Sequence, residues 1–111
     1  MIGVGGHRFD PWGYKSWATV FIARFQQGRY EDAANAARKA VQSNPGFSIL
    51  HVCLAAALTK LGPIDEAKAA AARVLPLQPS FTIGEWSAAI DPASDIAVPL
   101  TEALRAAGLP Q

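Results

Sequence analysis

The sequence predicts an all-α fold: two antiparallel helix hairpins stacked on each other, followed by a third short helix and a C-terminal capping helix. Three observations carry this expectation. Alanine supplies 22 of 111 residues and clusters at Ala33–Ala40, Ala55–Ala57 and Ala67–Ala72. It is the strongest helix former and is depleted from strands. Glycine and proline fall where they cut these stretches into helix-length pieces. Finally, the chain matches itself at an offset of 34 residues, and two-helix units of that period bury their apolar faces against their neighbours.

The elements follow in order. Asp10-Pro11 has the form of an N-cap followed by proline at the first helical position, and Gln27-Gly28 has the form of a stop, which encloses helix one. Helix two runs from Tyr30 to about Ser43, with Ala33, Ala34, Ala37, Ala40 and Val41 at helical spacing, and Asn44-Pro45-Gly46 closes it. Helix three spans Phe47 or Ser48 to Leu61 and ends at Gly62-Pro63. Helix four runs from Ile64 to about Leu75, where Pro76 should end it. Thr82-Ile-Gly-Glu85 is a capping-box pattern that starts a short helix to about Ile90, and Asp91–Asp95 reads as a loop. The last helix begins at Ala97 or Pro99, presents Leu100 and Leu104, and stops at Gly108-Leu109-Pro110. Residues 1–10, with Gly3-Val-Gly-Gly6, read as a flexible tail, and 11–111 as one domain: repeat one about 14–47, repeat two about 48–81, and an extension over 82–111.

Composition excludes several function classes. The net charge is +1, and Arg24, Arg29, Arg38, Lys39, Lys60, Lys68 and Arg73 are interspersed with acids, so no basic stripe awaits a nucleic acid. The single cysteine, Cys53, allows no internal disulfide, and no apolar run reaches the roughly 20 residues of a membrane span. The expectation is a cytoplasmic protein without a cofactor or metal. Nothing has the form of a nucleophile–base pair, so an enzyme is not expected. His51 and Cys53, two residues apart on a helix, face different directions and share no metal; His51 reads as a packing residue and Cys53 as a small hydrophobe. Glu31-Asp32 and Asp65-Glu66 sit at helix N-termini, where the dipole favours negative charge.

The internal match is detailed. Gln26-Gln27-Gly28-Arg29-Tyr30-Glu31-Asp32-Ala33 falls on Lys60-Leu61-Gly62-Pro63-Ile64-Asp65-Glu66-Ala67, Asn44-Pro45 on Gln78-Pro79, and Phe47 on Phe81. Over roughly Pro11–Ile90 the chain resembles the tetratricopeptide repeat. Gly28, Ala33, Ala40 and Pro45 stand at that family's turn glycine, two small positions and terminal proline in repeat one, and Gly62, Ala67, Val74 and Pro79 stand there in repeat two. The first helices depart from the pattern: Trp17 keeps the aromatic position, but Phe21 replaces a small residue, and repeat two has His51, Leu54, Ala55 and Leu58 at those places. The resemblance implies a right-handed α-α superhelix that acts as a protein-interaction module.

A narrower resemblance is carried by His7-Arg-Phe-Asp-Pro11, Gly28-Arg-Tyr-Glu-Asp-Ala33, the Phe81 segment and Leu104-Arg-Ala-Ala-Gly-Leu-Pro110. These look like the C-terminal repeat region of bacterial class III adenylate cyclases and winged-helix transcriptional regulators. That likeness implies an accessory, regulatory or oligomerisation region of a bacterial signalling protein.

In the resembled family, ligands lie along a groove formed by the first helices. Carried over by position, the groove is Lys15, Ala18, Thr19, Ile22, Phe25 and Gln26 in repeat one and Ile49, Val52, Cys53, Ala56, Thr59 and Lys60 in repeat two, with Trp86 and Ile90 from the third helix. The residues expected to contact a partner are Ala18, Ile22, Phe25, Val52, Ala56, Trp86 and Ile90. Such a surface suits an apolar helix or extended segment of a protein, or a second copy in a homodimer, rather than a charged peptide terminus. The Leu100/Leu104 helix could instead fold back into the groove or cap the stack. A second reading makes Trp86, Phe25 and Trp17 the lining of a small-molecule pocket.

Overall fold

The computed structural model describes residues 13–88 and 97–110. Over these residues the chain forms α1 (Gly13–Gln26), α2 (Tyr30–Ser43), α3 (Ser48–Leu61), α4 (Ile64–Ala71), α5 (Val74–Leu77), α6 (Ile83–Ala88) and α7 (Ala97–Ala106), with no strand. The tail expected over residues 1–10 and the loop at Asp91–Asp95 lie outside the described residues.

The two hairpins turn where glycine permits it. Gly28 has φ +75°, its N–H donates to the Phe25 carbonyl, and the next N–H, of Arg29, reaches back to the Arg24 carbonyl at 2.9 Å. This is the double closure that satisfies the last carbonyls of a helix ending in a left-handed residue. Gly62, one period later, has φ +133° and donates to the Leu58 carbonyl at 3.0 Å. Pro63 follows without a donor, so α3 cannot continue and α4 starts at the next residue.

Helix α3 is the centre of the molecule. Its sequence, SILHVCLAAALTKL, is apolar on nearly every side, and such a helix is stable only when neighbours surround it. They do: α2, α4 and α7 pack along it, and α1 and α5 also touch it. The approach is close because small side chains meet there. Ala33 and Ala34 on α2, Ala55, Ala56 and Ala57 on α3, and Ala67 on α4 are all fully buried. Larger side chains, Phe21, Leu50, Val52, Val74, Ile83 and Leu104, fill the space between helices.

The second hairpin departs from the sequence expectation. A helix from Ile64 to about Leu75 was expected, but α4 stops at Ala71 and a separate short α5 carries Pro76 inside it. Proline at position i both lacks an N–H and crowds the carbonyl four residues earlier, which here is Ala72. The chain responds at Ala72 and Arg73, where the Arg73 N–H takes the Ala70 carbonyl at 3.1 Å and tightens the turn.

Beyond α5 the chain folds back. Thr82 caps α6 as its pattern foretold: its Oγ1 accepts the Glu85 N–H at 3.1 Å and donates to Glu85 Oε1 at 3.3 Å. Helix α7 then packs on α3 and α6, and Gly108, at φ +95°, turns the chain so that Leu109 is buried. The Ile83 N–H donates to the Pro110 carbonyl at 2.8 Å, which ties the end of the described chain to the start of α6.

A Cβ added at Gly28 would meet nothing within 4 Å, so the only cost of a side chain there is its left-handed backbone. Gly28→Ala is expected to lower the stability of the fold by about 1–2 kcal/mol, read as a lower urea midpoint with an unchanged slope. Gly46 has equally open surroundings without a positive φ, so Gly46→Ala should not lower the midpoint.

Candidate functional site

The face formed by the first helices α1 and α3 is the surface on which contact residues were expected. The structure divides it in two. On α1, Ile22 is 45% exposed and Ala18 half-buried, with Lys15, Thr19 and Gln26 exposed around them. On α3, Val52 and Ala56 are completely buried.

On α3 the neighbours include the last helix. Helix α7 runs along α3, and its Leu100, Ala103 and Leu104 belong to the same buried cluster as Val52, Ala55 and Ala56. The last helix therefore folds back onto the central helix, one of the two outcomes the sequence left open. Val52 and Ala56 are core residues here and offer nothing to an outside partner. Phe25 is also corrected: it is 2% exposed, its ring packed 5.5 Å from that of Phe21 and edge-on to Tyr30 at 5.2 Å. Trp86 is half-buried, and Ile90 lies outside the described residues. The structure thus leaves an apolar strip on α1, Ala18 and Ile22, whereas Val52 and Ala56 on α3 are buried.

The flanking polar groups are mostly local. Thr19 Oγ1 donates to the Lys15 carbonyl at 3.0 Å and Thr59 Oγ1 to the Ala55 carbonyl at 2.8 Å, so neither hydroxyl proton is aimed outward. The Lys60 ammonium sits 5.8 Å from the centre of the Tyr30 ring, linking the second repeat to the first. Cys53 is half-buried, and burial pushes its thiol from 9.0 up to about 12, which keeps it protonated and unreactive.

The aromatic-pocket reading is not supported by the placement of its three residues. A cavity of about 270 Å³ beside Trp86 is lined by Gln78, Ser80, Phe81, Thr82 and Glu85, and neither Trp17 nor Phe25 borders it. Trp17 instead lies under the Lys39 ammonium, 5.3 Å from its ring centre.

A second concavity, of about 310 Å³, lies at the seam between the hairpins and was missed by the sequence reading. Arg38 and Val41 from α2 form one wall, His51, Leu54 and Leu58 from α3 the floor, and Glu66, Ala69, Ala70 and Arg73 the other wall. Arg38 and Glu66 approach to 4.0 Å across it. Buried His51 donates from Nε2 to the Pro45 carbonyl at 2.9 Å, since a carbonyl can only accept. The signal for this seam was in the 34-residue offset, because Val41 and His51 belong to neighbouring repeats at positions that stacking brings together. Among the described residues no three His, Cys, Asp or Glu side chains gather to hold a metal, and no helix is long and apolar enough to cross a membrane.

Two helix-turn-helix hairpins of equal period, with glycine turns, alanine seams and a shared central helix, define an α-helical repeat protein. The family model for the tetratricopeptide repeat matches residues 24–90, and the chain belongs to that family, whose members are in general non-catalytic protein-interaction modules. No curated protein and no solved structure matches the chain significantly.

The Cys53 environment yields a test with a definite sign. The folded chain holds its thiol proton more tightly than the unfolded chain, so the associated stability is present below the unfolded value near 9.0 and is lost as pH rises from there toward about 12. Urea midpoints should therefore fall above pH 9.0, and Cys53→Ala should remove that part of the fall. At pH 8 a thiol reagent should modify the native chain far more slowly than the denatured one.

Proposed function

We propose that this chain is a protein-binding module whose contact strip is the exposed face of α1, centred on Ile22 and Ala18. The observation that carries the reading is the accessibility of Ile22, at 45%, on the face where the resembled family binds its partners. Its neighbours Lys15, Thr19 and Gln26 supply a polar rim around a short apolar centre, the usual anatomy of a contact patch. An amphipathic helix or extended apolar segment fits such a strip, with apolar side chains against Ile22 and Ala18 and polar ones toward the rim.

In the wider setting, the likeness of the Leu104–Pro110 tail to the repeat regions of bacterial adenylate cyclases and winged-helix regulators supports an accessory or regulatory part of a cytoplasmic signalling protein. In that setting the bound segment would belong to a catalytic or DNA-binding partner, and the module would position it without chemistry of its own.

Capture of binding partners on the immobilised wild-type chain, compared with Ile22→Asp, tests this directly. Ile22 is exposed, so the variant should keep the helical content and urea midpoint of the parent while losing partners captured by the wild type. An identical set of partners on both chains would sink the α1 strip as the contact surface.

A further inference from the structure

In repeat one the hairpin closes on a ring and a cation: the Lys39 ammonium on α2 sits 5.3 Å from the centre of the Trp17 ring on α1. The same two positions one period later are His51 on α3 and Arg73, just past the end of α4. Their relation is different. His51 carries a smaller ring, only 4% exposed, and its Nε2 is engaged by the Pro45 carbonyl at 2.9 Å. Among the described residues no ring stacks on Arg73 and no acid pairs with it. Where repeat one has an indole against its cation, repeat two has the seam concavity of about 310 Å³, which His51 and Arg73 both border.

The surface inside this concavity is largely apolar. Val41 and Leu54 are half-buried there, and Ala69 and Ala70 present only methyl groups, so an apolar ligand gains by displacing water from it. The volume falls at the lower end of the range of small-molecule sites, about 300–1,000 Å³. Three charged groups stand around the apolar surface. Arg38 and Glu66 approach to 4.0 Å and offset each other, which leaves Arg73 as the uncompensated charge. Glu66 lies seven residues before Arg73, roughly two helical turns or about 10 Å along the axis, so Arg73 stands at the other end of the concavity from the ion pair. A guanidinium fork pairs with a carboxylate through two parallel hydrogen bonds, which selects an anion of that shape at this end.

We propose that the seam concavity is a binding site for a small aromatic carboxylate, its ring on Leu54, Ala69 and Ala70 and its carboxylate on the Arg73 guanidinium. The ligand brings from outside the ring that Trp17 supplies within repeat one. The site is formed by α2, α3, α4 and Arg73 and does not include Ile22 or Ala18, so it is independent of the α1 strip proposed above.

Titration of the isotope-labelled whole chain with indole-3-acetate, followed through its amide chemical shifts, tests the proposal. A ligand this small on an open surface should bind with a Kd on the order of 1 mM, and the saturable shifts should centre on the amides of Leu54, Ala69, Ala70 and Arg73. Indole-3-ethanol, which keeps the ring without the charge, should bind roughly tenfold more weakly, the loss of one charge-assisted pair. Tryptamine, with the same ring and a cation, should not bind. Arg73→Gln should lower the affinity for indole-3-acetate to that of the uncharged analogue, and Ala69→Phe, which fills the concavity with its own ring, should abolish the shifts. Both positions are exposed, so circular dichroism and the urea midpoint should stay close to those of the parent. Ile22→Asp should bind indole-3-acetate as the parent does, which separates this site from the partner-binding strip. The absence of saturable shifts with indole-3-acetate, shifts centred elsewhere on the chain, equal affinity for indole-3-ethanol, or undiminished affinity in Arg73→Gln would each overturn the assignment.

Discussion

The rest of the structure depends on how closely helices can approach α3. Helix axes sit roughly 8–10 Å apart according to the side chains between them, and the smaller separations require small residues. Here Ala55, Ala56 and Ala57 on α3 face a neighbourhood in which Ala33, Ala34 and Ala67 are also fully buried. Close approach lets both layers of the repeat share one central helix. It also sets a demand, because a helix with apolar residues on nearly every side needs cover on the sides its own repeat leaves open. Helix α7 answers that demand, and its Leu104 is as completely buried as Val52. The covering of α3 by the C-terminal helix is thus a consequence of the same composition that makes the hairpins.

This explains which features were legible in the sequence. The bounds of α2 and α3 follow from local chemistry: Gly28 and Gly62 take positive φ, and proline follows at Pro45 and Pro63, so the expected spans match the observed ones. The break at Ala72–Arg73 was missed because Pro76 was read as ending the helix just before itself, whereas its steric demand reaches back four residues. The contact surface was less legible. Positions inherited from a repeat pattern assume that every first helix meets the same neighbours, and α3 also meets α7, which is distant in sequence. Spacing could identify Leu100 and Leu104 as an apolar stripe, but where that stripe lands is set by long-range packing. Phe25 was misplaced for a different reason: the repeat pattern expects a small residue where Phe21 stands, and the bulky ring there pairs with Phe25 inside the core.

The two first helices differ in what a partner would have to overcome. On α3, an incoming segment competes with α7, which is tethered to the same chain and present at an effective concentration on the order of millimolar. It would also have to re-expose Leu100, Ala103 and Leu104 to water, and burial of each leucine stabilises the fold by about 1.5–3 kcal/mol. On α1, no described helix occupies Ile22, so a partner there keeps its full contact energy. Even a segment with equal intrinsic affinity for both strips would settle on α1. In this arrangement α7 is the resident segment of α3, and the strip left for the external partner we propose is the one on α1.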